Sequence, residues 1–379
     1  MLVAVFLLVV LLLVGIIHWY LWRRLVRDTT RPGRWRRAGT VLVIALAVLL
    51  VGSLAGRGLP MREQAWLAWP GYLWLAAMFY LLLVLLVLDV VRLPGRIWRR
   101  FTYRREPDPD RRLMMARSAA IAAGIVATGA IGTGTANALG PPRIWRAPIR
   151  LAKLPRRLDG FKIALVADIH LGPLLGRGHT ARIVSMINDL DVDLVAVVGD
   201  LVDGTVAELG TAAEPLHDLR SRHGSYFVTG NHEYFSGYRP WIGELTGLGL
   251  TVLRNERVEV DGIDLAGVND VTGGSYGDAP DYGKALDGRD ESRPVVLLAH
   301  QPVQVHEAVR RRVDLQLSGH THGGQMFPFG AVVRLQQPVL AGYARFGGTQ
   351  LFVTRGAGFW GPPVRVGAPP DITLVELRA

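Results

Sequence analysis

Phe161-Lys162-Ile163-Ala164-Leu165-Val166-Ala167-Asp168-Ile169-His170 is the stretch that decides the fold. An apolar run of strand length ends abruptly in a carboxylate and an imidazole, and such a run predicts a strand buried on both faces. The pattern recurs four times. Residues 194–198 lead into Gly199-Asp200-Leu201-Val202-Asp203, and residues 226–229 into Gly230-Asn231-His232-Glu233. Residues 295–299 lead into His300, and residues 315–318 into Gly319-His320-Thr321-His322.

Helical stretches at 177–190 and 212–220 separate the early strands, which predicts βαβ units and a parallel core. Further strands are expected at 263–268, 349–354 and 372–377, so the tail is richer in β structure and requires a mixed or second sheet. Binding sites in open α/β sheets gather beyond the carboxyl ends of strands. All five polar clusters fall there. Carboxylate, imidazole and amide groups in such a cluster suit a pair of divalent metal ions.

The formal net charge of +11 over 379 residues is unevenly divided. Residues 1–157 hold 24 Lys and Arg against 6 Asp and Glu, whereas residues 158–379 hold 19 against 26. A nucleic-acid footprint would put a basic face on the soluble part. That part is mildly acidic, which argues against nucleic acid as a partner. Cysteine is absent, so disulfides and thiolate ligands are excluded.

Residues 1–138 read as a membrane domain with spans at about 2–22, 38–55, 71–91 and 118–135, each near the length that crosses roughly 30 Å of hydrocarbon. His18-Trp19-Tyr20 and the cluster of Trp66, Trp69, Tyr72 and Trp74 read as interfacial belts. The fourth span is rich in Ala and Gly, follows Arg111-Arg112 and ends in Ala136-Asn137-Ala138. It reads either as a retained helix with small packing residues or as a cleaved twin-arginine signal. A position behind three spans favours the helix. Asp89 is the only acidic residue within the spans, which favours an anchor over a transport path.

Seven Arg at 23–37 and nine at 92–117 share one side if the spans alternate. The other side receives Arg57, Arg62 and the six basic residues of 139–157. This excess places the two loops in the cytoplasm and residues 158–379 outside it. Segment 139–157, with Pro141, Pro142, Pro148 and Pro155, reads as a linker.

Within the clusters, strand alternation would point Asp168 and His170 the same way. Gly230 permits a tight turn before Asn231 and His232, and His320 with His322 makes a close imidazole pair. His300 alone reads as a core histidine with a satisfied ring. Asp203 reads equally as a partner behind a ligand or a helix cap. Arg355 reads as a phosphate contact or a structural salt bridge. His179, His217, His223 and His306 read as solvated.

Taken together and in order, the five motifs resemble the calcineurin-like metallophosphoesterase family over residues 158–379. The run 319–325, with Arg355-Gly356-Ala357-Gly358, Pro363-Val364-Arg365 and Pro369-Pro370, resembles its membrane-tethered YkuE-type bacterial subgroup. The resemblance implies an α/β fold, a four-layer αββα sandwich of two mixed β-sheets, following N-terminal transmembrane helices. It also implies two divalent ions (Mn, Fe or Zn), with Asp168, His170 and His322 at one and Asn231, His300 and His320 at the other. Asp200 would bridge them, and His232 would act beside them as the catalytic acid. Asn269-Asp270 stands where relatives often carry paired acids, and Asn269 departs from that pattern.

The implied activity is hydrolysis of phosphate esters, phosphodiesters foremost. A phosphomonoesterase or a nucleotide-lipid pyrophosphatase on the same site is the alternative. Tethering to a lipid bilayer makes a lipid or cell-envelope phosphoester the expected substrate.

Overall fold

The computed structural model describes residues 2–102 and 108–379. It divides into two compact units, Met1–Thr135 with Gly361–Pro363, and Ala136–Trp360 with Val364–Ala379.

The first unit is helical: α1 (Leu2–Leu21), α2 (Arg34–Ala55), α3 (Met61–Thr102) and most of α4 (Pro109–Leu139). All four helices contain stretches long and apolar enough to cross a membrane. Helices suit that role because each satisfies its own backbone hydrogen bonds where no water is available. α3 and α4 overrun the expected spans at both ends. Hydropathy marks only the apolar stretch, whereas a helix continues into arginines while its own hydrogen bonds are made. Part of the second arginine-rich loop, residues 103–107, lies outside the described residues.

Leu21, Leu50, Met78, Leu85 and Ala123 form a buried cluster between these helices. The buried small residues on α4 include Ala119, Ala123 and Ala127, four apart and therefore on one face. α4 runs without a break through Ala136-Asn137-Ala138, the residues that resembled a cleavage site.

Two polar groups in this unit are paired inside the bundle. His18, expected at headgroup level, is buried, and its Nε2 accepts a hydrogen bond from Trp74 Nε1 at 3.0 Å. Asp89 accepts from Tyr20 at 2.8 Å and pairs with Arg24 at 2.5 Å. Pairing offsets much of the cost of an ionisable group at membrane depth, as a structural role requires.

The second unit contains twelve strands: β1 (Arg143–Arg150), β2 (Lys162–Val166), β3 (Leu194–Val198), β4 (Ser225–Val228), β5 (Leu250–Val252) and β6 (Glu256–Val260), then β7 (Ile263–Gly267), β8 (Val295–Leu298), β9 (Leu315–Ser318), β10 (Gly342–Phe346), β11 (Thr349–Val353) and β12 (Asp371–Arg378). One sheet has the order β1-β12-β2-β3-β4-β5, and the other β10-β11-β9-β8-β7-β6. β2 to β5 run parallel and β12 is antiparallel to β2, while β7, β8, β9 and β11 run parallel between antiparallel edge strands. Both sheets are therefore mixed.

Leu165, Ala196 and Val198 of the first sheet meet Leu265, Val296 and Leu317 of the second in one continuous core. Helices α5 (Arg177–Asn188), α6 (Val206–Ala213), α7 (Asn231–Ser236) and α8 (Tyr238–Gly247) follow strands of the first sheet. α9 (Tyr282–Leu286), α10 (Val305–Arg310) and α11 (Gly330–Val333) belong to the second half. Ala285, Leu286 and Ala308 from α9 and α10 cover the outer face of the second sheet, against Ala266, Val295 and Leu297.

Segment 139–157 is not a plain linker, because β1 lies within it. Ala147, Ile149 and Leu151 are buried at alternate positions, and the strand pairs only with β12. An edge strand tolerates Pro148, which has no amide to donate. The helix expected at 212–220 starts earlier, as α6. Thr205 and Glu208 form a reciprocal capping box that begins the helix, and α6 gives way to a 3₁₀ turn at Glu214–Asp218 containing Pro215.

Candidate metal centre

The structure brings the expected residues together at the carboxyl ends of β2, β3, β4, β8 and β9. Asp168 and His170 follow β2, Asp200 follows β3, Asn231 and His232 open α7 after β4, His300 follows β8, and His320 and His322 follow β9. Strand alternation is not what aligns Asp168 with His170. Both lie past the end of β2 in left-handed backbone, at φ 53° and 52°. Asp200, His320 and His322 share that conformation, at φ 52°, 71° and 51°. Each such residue costs roughly 1–3 kcal/mol and persists only when its surroundings hold it. Here Asp168 N donates to Gly199 O at 3.0 Å, His170 N to Asp200 O at 3.1 Å, and Gly358 N to Asp168 O at 2.8 Å.

Two glycines make room for the carboxylates. A Cβ on Gly230 would stand 2.2 Å from Asp200 Oδ1, and one on Gly356 would stand 2.6 Å from Asp168 Cβ. No side chain fits at either place.

Two donor groups follow the expected ligand sets, and a third joins His170, Asp203 and His232. In the first, His170 Nε2 and His322 Nε2 are 3.0 Å apart, and His322 Nε2 lies 3.5 Å from Asp168 Oδ1. In the second, His300 Nε2 lies 3.1 Å from Asp200 Oδ2, with His320 close by. Asp200 Oδ2 is also 4.0 Å from His170 Nε2, so this carboxylate stands between the groups. Asn231 Oδ1 is buried without a hydrogen-bond partner, and buried His300 Nε2 faces the Asp200 carboxylate. Burying a polar atom unpaired is costly, and a cation is the partner that would satisfy an amide oxygen and an imidazole lone pair together. The residues fit a pair of divalent ions.

His232 stands beside these groups, its Nε2 4.0 Å from Asp200 Oδ2. Asp203 settles its two readings as a partner behind imidazoles. It bonds His232 Nδ1 at 2.5 Å and His170 Nδ1 at 3.1 Å, which directs both Nε2 atoms toward the centre.

Charge is concentrated here. Burial pushes the Asp168 carboxyl up to about 6. Burial opposes protonation of His232, but Asp200 and Asp203 outweigh it and raise the ring to about 9. Burial, joined by the neighbouring His170 and Arg365, holds His322 well below the ordinary histidine value.

Two residues support the site in roles that the sequence reading did not assign. Glu233 is buried, and its carboxylate accepts from Asp200 N at 3.0 Å, Leu201 N at 2.7 Å and Gly230 N at 2.6 Å. It locks the turn of β3 to the turn of β4, and burial raises it to about 7. Its place three residues after Gly230 is the available clue, a capping position. Arg365 is fully buried and reaches His322 Nδ1 at 2.9 Å and Gly356 O at 2.9 Å. It stands in Pro363-Val364-Arg365, which carried the family resemblance but assigned it no role.

Other candidates fall outside. Arg355 makes a salt bridge with Asp371 at 3.3 Å and lies over the Trp145 ring. Asp270 accepts from Thr272 N at 2.8 Å as the cap of a short 3₁₀ helix. His179, expected in solvent, is buried, and burial with nearby Arg182 lowers its ring to about 4.

Residues 161–324 match the family described as Calcineurin-like phosphoesterase. A zebrafish (Danio rerio) protein named Transmembrane protein with metallophosphoesterase domain is 35% identical over 387 residues, covering 97% of this chain and 87% of that protein. The Bacillus subtilis metallophosphoesterase YkuE is 31% identical, covering 69% of this chain and 94% of its own. A metallophosphoesterase of Helicobacter pylori is 44% identical over 242 residues, covering 63% of this chain and 65% of that one. The chain belongs to the calcineurin-like metallophosphoesterase family, whose members are hydrolases of phosphoester bonds. Its four apolar helices and the zebrafish relative's name mark it as a membrane protein.

Proposed function

We propose that this chain is a membrane-anchored phosphodiesterase. Asp168, His170 and His322 would hold one divalent ion and Asn231, His300 and His320 a second, with Asp200 standing between the two groups. When bound, such ions supply Lewis acidity at the phosphoryl oxygens and a nucleophile near neutral pH.

The protein's own contribution centres on His232. Asp203 holds Nδ1, and Asp200 together with Asp203 favours the charged ring, so Nε2 carries the proton that the leaving alkoxide takes as its bond to phosphorus breaks. Glu233 fixes the backbone at Asp200, and Asp203 orients His170.

One observation favours diesters. Phe235 and Trp360 flank His232 with ring centroids 5.6 and 5.8 Å away, and both are exposed. These apolar walls suit the second organic group that a diester carries and a monoester lacks. The test is to assay the purified full chain on bis-p-nitrophenyl phosphate and on p-nitrophenyl phosphate, with Mn²⁺, Zn²⁺ or a chelator. Metal-dependent turnover with preference for the diester supports the reading. Preference for the monoester would assign a phosphomonoesterase, and no metal-dependent turnover of either would sink the hydrolase.

The arginine excess at 23–37 and 92–117 supports an extracytoplasmic catalytic domain. An epitope tag after Ala379 should then be reached by impermeant reagents once any outer envelope is opened. A tag reached only after the cytoplasmic membrane is lysed would reverse the topology.

A further inference from the structure

Residues 315–370 contain four arginines and no acidic residue, within a domain whose overall balance is acidic. This stretch also carries a dense group of exposed apolar side chains. Leu335 is 83% exposed, Phe327 70% and Val332 52%, all within nine residues around α11. Exposed Arg334 lies among them and exposed Arg345 follows.

The segment is joined to the metal centre. The apolar cluster begins five residues after His322, and Phe327 N donates to Val366 O at 3.0 Å. Gln325 grips the backbone of Trp360 at both ends of its amide, donating to Trp360 O at 2.9 Å and accepting from Trp360 N at 3.1 Å. Trp360 in turn flanks His232. Gln325, two residues before Phe327, therefore ties this segment through Trp360 to His232.

Scattered exposed apolar residues need no explanation, but a cluster with cationic neighbours does. Leu and Phe beside Arg, without acids, is the composition that enters the headgroup region of an anionic bilayer. A bilayer is also the surface within reach. α4 ends at Leu139 and β1 begins at Arg143, so three residues, about 10 Å of extended chain, separate an apolar helix from the first strand of the catalytic unit.

We propose that residues 327–335 seat in the surface of an anionic bilayer and that the centre acts on phosphodiesters of amphiphilic lipids presented there. The choice of substrate rests on the phosphodiesterase reading above; the choice of surface does not. The chain has no cysteine, so single fluorophores can be placed on the full-length protein without background labelling. Leu335→Cys, Phe327→Cys and, as a control on an exposed turn, Asp218→Cys are labelled with an NBD fluorophore and reconstituted in nanodiscs of phosphatidylcholine with phosphatidylglycerol. Probes at 335 and 327 should shift to the blue and be quenched by spin-labelled lipid, while the probe at 218 is quenched by aqueous iodide. A probe at 335 that behaves like the one at 218 overturns the surface. Equal insertion without phosphatidylglycerol overturns its anionic character.

A kinetic comparison tests the substrate class. Leu335→Glu should slow turnover of phosphatidyl-p-nitrophenol in the same nanodiscs by about tenfold, with bis-p-nitrophenyl phosphate changed less than about twofold. Equal effects on both substrates overturn the lipid assignment. Failure of the unaltered chain on both substrates would instead remove the phosphodiesterase reading, and the fluorophore depth would still decide the surface.

Discussion

His232 and Asp203 are paired at 2.5 Å, and His232 can be tested separately from metal loading. His232→Ala should retain its metal content by elemental analysis while diester turnover falls about 10²–10⁴-fold. Gly230→Ala acts differently, because its new Cβ would stand 2.2 Å from Asp200 Oδ1. Displacing that carboxylate should weaken metal affinity by about 10–100-fold, measured by competition with a chelator. The charge at the centre also predicts how the chelated protein responds to pH. His232 is raised from 6.5 to about 9 and His300 well above its ordinary value, because nearby carboxylates favour their charged forms against the cost of burial. A raised folded-state value contributes stability that is complete below the unfolded value and is lost as pH rises through the folded one. The chelated protein should therefore lose thermal stability between about pH 6.5 and 9, and added divalent cation should restore it. A flat melting profile over that window would contradict this account of the centre.

At the scale of elements, legibility followed burial. β2, β3, β8 and β9 are nearly all interior, so they read as unbroken apolar runs, and the ligand clusters at their ends were plain. β6 and β10 are edge strands with mostly half-exposed residues, and β5 has three residues, so none leaves a recognisable period. β1 was hidden by its prolines, which signal a linker unless the pairing partner, more than two hundred residues away, is known. Ile149 tests that strand. It is buried, so Ile149→Ala should cost about 2–4 kcal/mol in thermal or denaturant unfolding of the full chain, whereas a true linker would be indifferent. Glu233 and Arg365 were illegible for a related reason. Their roles are to fasten turns contributed by separate strands, and such roles exist only once those strands are neighbours.

Across the whole molecule, apolar helices and a metal centre are encoded in separate stretches, each with its own charge. The helical half is basic and the half that carries the metal centre acidic, except for the acid-free stretch that borders the site. Five of the residues around that site adopt backbone angles that ordinary strands and helices do not supply. The donor set is consequently not portable. Copying the same aspartates and histidines onto regular strands of another protein would aim them elsewhere, because their direction is set by the turns. Transplanting this chemistry would require moving the bends, with the glycines and the clamping glutamate that sustain them, and the named side chains would follow.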